Sequence, residues 1–295
     1  MAGLGSAAFL AQFVSGSLTA AMPLLLGGLG EQVSERAGVL NVGIEGMMLA
    51  GAYAGFAVAY GTGALWPGLL AGAVAGALVA VPMIVLCVRL ALNQVVVGIA
   101  LTLGIQGLTA LLHHFAFSAL YPRLPAPALL LGRYPLDYVA LALCGALAWM
   151  FRNTLLGLHL AAAGERPVAV DAAGVSVTGL RALAVLSTGM LAGLGGAYLS
   201  EIGAGVFVPF MTNGAGFICI VLAMLARGRP LLVLLGALLF GVSLSATTTL
   251  QFLGVDVPSD VVQMLPFAVV MVLLVALGGG RLPAALGLPY RRGER

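Results

Sequence analysis

The stretch Glu35–Ala52, ERAGVLNVGIEGMMLAGA, sets a charged pair, Glu35 and Arg36, directly after one apolar run and then enters a second. That second run carries Asn41 and Glu45 among Gly38, Gly43, Gly46 and Gly51. Ionisable and amide groups are costly inside a bilayer, so they face protein or a water-filled path. Glycines at this density let backbones approach closely and let a helix begin at depth. Two readings stand. In one, this is an ordinary helix start packed by small residues. In the other, Asn41, Glu45 and Gly46 line a path for a polar solute.

The rest of the chain decides the class. Of its 295 residues, 61% are hydrophobic and 8% charged, whereas a soluble domain carries about 25% charged residues. The chain is therefore an all-α polytopic membrane protein. The N-terminus lacks a positively charged leader region, so Met1–Leu29 reads as a retained span rather than a signal peptide. Nine candidate spans follow from runs of about 20 apolar residues: Ala8–Leu29, Val39–Tyr60, Ala64–Val88, Val95–Phe117, Leu136–Met150, Ala182–Ser200, Gly214–Ala226, Leu231–Leu253 and Val261–Leu277. The seventh is too short to cross unaided and the fifth is borderline, so 8–10 helices are expected, some broken or re-entrant. Pro266 is expected to kink the last.

Alternating crossings put Arg36, Arg89, Arg152, Arg166, Arg181, Arg227, Arg229, Arg281, Arg291, Arg292 and Arg295 on one side, and only Arg123 and Arg133 on the other. The positive-inside rule then sets the N-terminus outside and the C-terminus in the cytoplasm. The same arginines read as a topology signal and not as a nucleic-acid patch.

Residue types exclude several functions. The chain has no lysine, and a phosphate-binding P-loop requires one. It is therefore not its own ATPase of that type. Cys87, Cys144 and Cys219 sit in apolar runs without metal or disulfide spacing. His113 and His114 read as an interfacial pair, and no set of metal ligands is apparent. No Gly-x-Ser-x-Gly elbow or hydrolytic triad is present.

The cytoplasmic loop 152–181, RNTLLGLHLAAAGERPVAVDAAGVSVTGLR, is too polar at Gly164–Asp171 to stay in a bilayer. Pro167 suits a first helical turn and Gly174 a helix end, which predicts a short alanine-rich surface helix. Farther on, Phe210–Ile218 reads FMTNGAGFI, where Asn213 either bonds a passing solute or caps the next helix.

GVLNVGIEGMMLAGA resembles the signature of the permease subunits of ATP-binding cassette (ABC) importers, in the branched-chain amino acid, ribose and nucleoside group, and is closest to the nucleoside (simple-sugar) branch. The run AAAGERPVAVDAAGVSV, followed by Arg181, resembles that group's coupling loop at Gly164, Glu165, Ala169, Ala172 or Ala173, and Gly174, with Asp171 inside it. FMTNGAGFI and the closing LPAALGLPYRR resemble the same branch, whereas Arg227-Gly228-Arg229-Pro230 departs from the family's turn at its centre.

The resemblance implies a single transmembrane permease domain over 1–295 in the bacterial cytoplasmic (inner) membrane, with no catalytic residue and no directly bound metal or cofactor. ATP and Mg would be used by a partner ABC ATPase subunit. The other implied partners are a second, paralogous permease, an extracytoplasmic substrate-binding protein and membrane lipid. The implied function is importer permease for a nucleoside or related ribosyl or simple-sugar solute. The alternative of a different class is an ion-coupled secondary transporter or channel, which calls for charged sites at mid-membrane.

Overall fold

A computed structural model describes residues 7–118, 120–126, 128–252, 264, 268, 272 and 282–291. Among these, the named elements are helices: α1 (Ala7–Arg36), α2 (Ile44–Thr62), α3 (Leu65–Met83), α4 (Gln94–Phe117), α5 (Pro135–Asn153), α6 (Leu155–Glu165), α7 (Pro167–Ala172), α8 (Val177–Tyr198), α9 (Ala215–Ala226) and α10 (Pro230–Phe252). π-helical turns prolong α3 over Ile84–Arg89 and α8 over Leu199–Gly203.

Among the described residues, five helical segments are long and apolar enough to cross a membrane: Leu10–Arg36, Leu65–Arg89, Gln94–Phe117, Pro135–Asn153 and Val177–Gly203. Each of the first eight expected spans corresponds to a helix, while Val261–Leu277 with Pro266, apart from residues 264, 268 and 272, lies outside the described residues. The borderline fifth span becomes a 19-residue helix. The seventh is only 12 residues in α9, or roughly 18 Å at 1.5 Å per residue, about half a bilayer core.

The first span differs most. α1 continues past Leu29 to Arg36, and Glu31, Gln32, Ser34 and Glu35 on that extension are all buried. Hydropathy falls at Glu31, but these side chains face protein rather than lipid. The hydroxyls of Ser34 and Thr188 on α8 lie 2.8 Å apart, and Thr188 donates to the Gly30 carbonyl at 2.8 Å.

α1 packs against α8, α9 and α10, while α2, α3 and α8 form a second, tighter contact. Absent side chains set that closeness. A Cβ on Gly193 would lie 2.9 Å from Gly76 Cα, and one on Gly196 would meet the Met48 carbonyl in α2. Close backbone approach through small residues is how membrane helices gain packing energy without a water-driven core. At the C-terminal end of α8, Tyr198 donates to Asp137 Oδ1 at 2.6 Å, and Arg133 pairs with Asp137 at 2.6 Å and donates to the Ser15 carbonyl at 3.0 Å. That cluster ties α1, α5 and α8 together.

α4 begins at a side-chain cap. Asn93 Oδ1 accepts from the backbone N–H groups of Val95 at 3.0 Å and Val96 at 3.1 Å. Asn93→Ala is expected to lower stability by about 1 kcal/mol. Thermal unfolding in detergent should register a drop of about 2–4 °C, and no shift would show that the cap is redundant.

Candidate functional site

The turn between α1 and α2 folds back onto the end of α1. Gly38 adopts φ +83, a left-handed conformation that a side chain would strain. Asn41 is fully buried; its N–H donates to Glu31 Oε1 at 3.0 Å and its amide to Met47 Sδ at 3.4 Å. Gln94 accepts from the Leu40 N–H at 2.8 Å, so α4 holds the same turn.

Glu45, in the first turn of α2, reaches α9. Its Oε1 accepts from the Thr212 hydroxyl at 2.6 Å and from the Gly214 N–H at 2.9 Å; its Oε2 accepts from the Gly216 N–H at 2.7 Å. A helix start leaves N–H groups unpaired and carries partial positive charge. The Glu45 carboxylate answers both needs from another helix. Gly216 is required by this contact, since a Cβ there would lie 2.6 Å from Glu45 Cα.

The junction lies deep. Cys219 donates to the Leu24 carbonyl at 3.6 Å, while Gly228, just past α9, stacks against Arg36. α9 thus covers α1 from Leu24 to its end, and it begins roughly 18 Å from Arg36. The segment 204–214 leading into it is non-helical. Irregular backbone at such depth is tolerated where it is enclosed by protein or lines a polar cavity.

The sequence-predicted path residues divide here. Asn41 and Glu45 are buried and bonded within the fold. Gly46 is a packing position, since its Cβ would sit 3.1 Å from Thr102 Cα on α4. Asn213 is exposed beside Thr212 at φ +42, and the helix that follows is capped by Glu45 with Gly214 at the N-cap.

The loop 152–181 contains two helices where one was expected. α6 is the addition, started by the Thr154 hydroxyl accepting from the Gly157 N–H at 3.2 Å. α7 starts at Pro167, and Gly174 follows at φ +81. Glu165, Val168, Ala169, Ala172, Ala173 and Gly174 are exposed, Asp171 is half-buried, and Val170 turns inward. Gly164 is buried where a side chain would strike the Arg36 carbonyl. The loop therefore touches the turn that leads into α2.

Several polar groups escaped sequence reasoning. Glu31, Gln32 and Glu201 are fully buried. Gln32, Glu35 and Glu165 line one cavity of about 130 Å³ with Arg36 and Arg227, and Arg36 lies 4.4 Å over the Phe151 ring. The signal available was the i,i+4 spacing of Glu31 and Glu35. His113, near the C-terminal end of α4, is buried, stacked on Tyr121 at 5.2 Å and packed on Phe117 and Phe207, whereas His114 is exposed.

The family model for the branched-chain amino acid transport system permease component matches residues 13–275. The chain is 41% identical over 252 residues to "Putative glucose ABC transporter permease protein TsgC13" of Haloferax volcanii, covering 79% of this chain and 76% of that protein. It is 30% identical to the guanosine ABC transporter permease protein NupQ of Bacillus subtilis, covering 96% and 97%. It is also 30% identical to the nucleoside ABC transporter permease protein NupC of Lactococcus lactis, covering 94% and 96%. No solved structure matches. On these matches the chain belongs to the branched-chain amino acid transport system permease family, and is a multi-pass inner-membrane ABC-transporter permease of the simple-sugar and nucleoside branch.

Proposed function

We propose that this chain forms one half of the translocation path of an ATP-driven importer for nucleosides or a related ribosyl or simple-sugar solute. A separate ATPase subunit hydrolyses the ATP, an extracytoplasmic binding protein delivers the solute, and a second permease completes the path. The whole chain acts as one transmembrane permease domain, with its N-terminus outside and loop 152–181 in the cytoplasm.

The observation that carries this reading is the placement of α7. It offers Val168, Ala169, Ala172 and Ala173 to the exterior, a surface of small side chains over which another protein can close tightly. Behind it, Gly164 rests on the α1–α2 turn. That turn leads to Glu45 and hence to the start of α9. A partner closing on α7 can therefore move the mid-membrane junction through packed backbone, as alternating access requires. The polar Asn213 and the segment before α9 are the proposed contact with solute, with Asn41, Glu45 and Gly46 as the wall behind them.

Ala172→Trp on α7 is expected to cut ATP-dependent uptake at least tenfold while membrane insertion stays normal. Unaltered uptake would count against docking there. Substrate class is tested by the initial rate of labelled guanosine uptake in cells with and without the gene, against unlabelled nucleosides, ribose, glucose and branched-chain amino acids. Competition by nucleosides alone supports the nucleoside assignment. Competition by a sugar alone keeps the importer and moves its substrate.

A further inference from the structure

The segment 282–291 lies across the junction between the loop and the α1–α2 turn, and it is bonded to both. The Ala285 N–H donates to the Gly164 carbonyl at 2.8 Å, and the Gly287 N–H donates to the Gly38 carbonyl at 3.2 Å. Arg181, at the start of α8, is 3% exposed; it donates from Nε to the Ala37 carbonyl at 3.1 Å and from Nη1 to the Leu288 carbonyl at 2.8 Å. Tyr290 packs on the apolar cluster that holds Val33 of α1 and Ala37 of the turn after it with Leu160 and Ala163 of α6 and Val170 of α7.

Gly38 is the crowded centre. A Cβ there would lie 2.9 Å from Arg181 Nη2, 3.2 Å from the Ala285 carbonyl and 3.2 Å from Gly164 Cα. Four separate pieces of chain therefore converge on one left-handed glycine. A planar guanidinium with several fixed donors suits such a place, because it can hold two backbone carbonyls on different segments at once. Gly287, at φ +74, supplies the reversal that lets the segment pair with both neighbours.

We propose that residues 283–290 act as a strap which, with Arg181 as its positioning residue, fastens the coupling loop to the α1–α2 turn so that the two move as one body. The Gly164–Arg36 contact and the apolar cluster join loop and turn by packing alone. The strap adds directional hydrogen bonds that resist separation, so it transmits the return stroke when the partner releases α7. In this role Arg181 touches neither solute nor nucleotide. The effect on transport rests on the importer reading; the mechanical link does not.

The test uses two variants, Arg181→Gln and the chain ended after Leu282. In the purified permease, hydrogen exchange of the backbone at residues 37–43 should rise at least tenfold in both variants while α2, α3 and α8 stay protected. In the assembled importer, solute moved per ATP hydrolysed should fall at least tenfold with hydrolysis retained. Arg181→Lys, able to reach one carbonyl, should fall between. A peptide of residues 283–290 added to the shortened chain should restore the ratio.

An unchanged ratio in both variants overturns the strap. So does joint loss of hydrolysis and transport without rescue by peptide, since that makes the segment a folding element alone. If the unaltered chain shows no ATP-driven uptake, the importer reading fails instead, and the exchange measurement still decides whether the strap binds the turn.

Discussion

Glu45→Ala should lower stability by roughly 3–5 kcal/mol, because it leaves buried partners of a charged group unpaired. The Thr212 hydroxyl and the Gly214 and Gly216 N–H groups would lose their acceptor, and Thr212 and Gly216 are buried. The start of α9 would then be held only by packing. Glu45→Gln should lie between, since an amide offers one oxygen to donors that approach both carboxylate oxygens. Thermal unfolding in detergent and protease cleavage within 204–214 measure the effect. If Glu45 serves only as a path-lining group, Glu45→Ala will unfold normally and change uptake alone.

Gly196→Val should be nearly as damaging, at roughly 3 kcal/mol or more, as an overpacked contact that cannot relax. Its Cβ would meet the Met48 carbonyl and lie 2.9 Å from the Ala52 N. Both are backbone atoms within α2, so no side chain can turn aside and α8 must move away. That separation also breaks the nearby bond from Ser200 Oγ to the Ala52 carbonyl, now 2.8 Å. The expected result is little folded protein in the membrane and early unfolding of what remains. A folded yield equal to the parent chain would show that the α2–α8 contact is looser than its geometry indicates. By contrast, a Cβ at Gly104 or Gly107 of α4 has nothing within 4 Å, and alanine there should be silent.

The pattern of apolar runs made the helices legible because lipid-facing surface must be apolar along its whole length. It failed where polar side chains face protein. The end of α1 was cut at Leu29 because Glu31, Gln32 and Glu35 lower the local hydropathy, although burial against α8 and the α1–α2 turn carries the helix on to Arg36. α6 was hidden for a related reason: its apolar residues pack inside a loop whose later half is plainly polar.

Glu45 was legible as important but not as a helix anchor. Its partners stand more than 160 residues away, and no local spacing announces them. Gly216 and Gly214 were visible only as part of a motif; the structure gives the reason for each, one for space and one for a φ of +84. The closing LPAALGLPYRR was readable as a resemblance, yet its bonds to Gly164, Gly38 and Arg181 depend on a fold that brings the α1–α2 turn, the coupling loop, the start of α8 and the closing segment to one place.

The most direct measurement is solute uptake into sealed vesicles holding this permease with its partner ATPase and binding protein, with ATP supplied or withheld on the ATPase side and the proton gradient collapsed throughout. The account predicts uptake that requires ATP, persists without the gradient and is lost in Ala172→Trp. Uptake that proceeds without ATP and follows an imposed proton or sodium gradient would contradict it, and would establish the ion-coupled alternative.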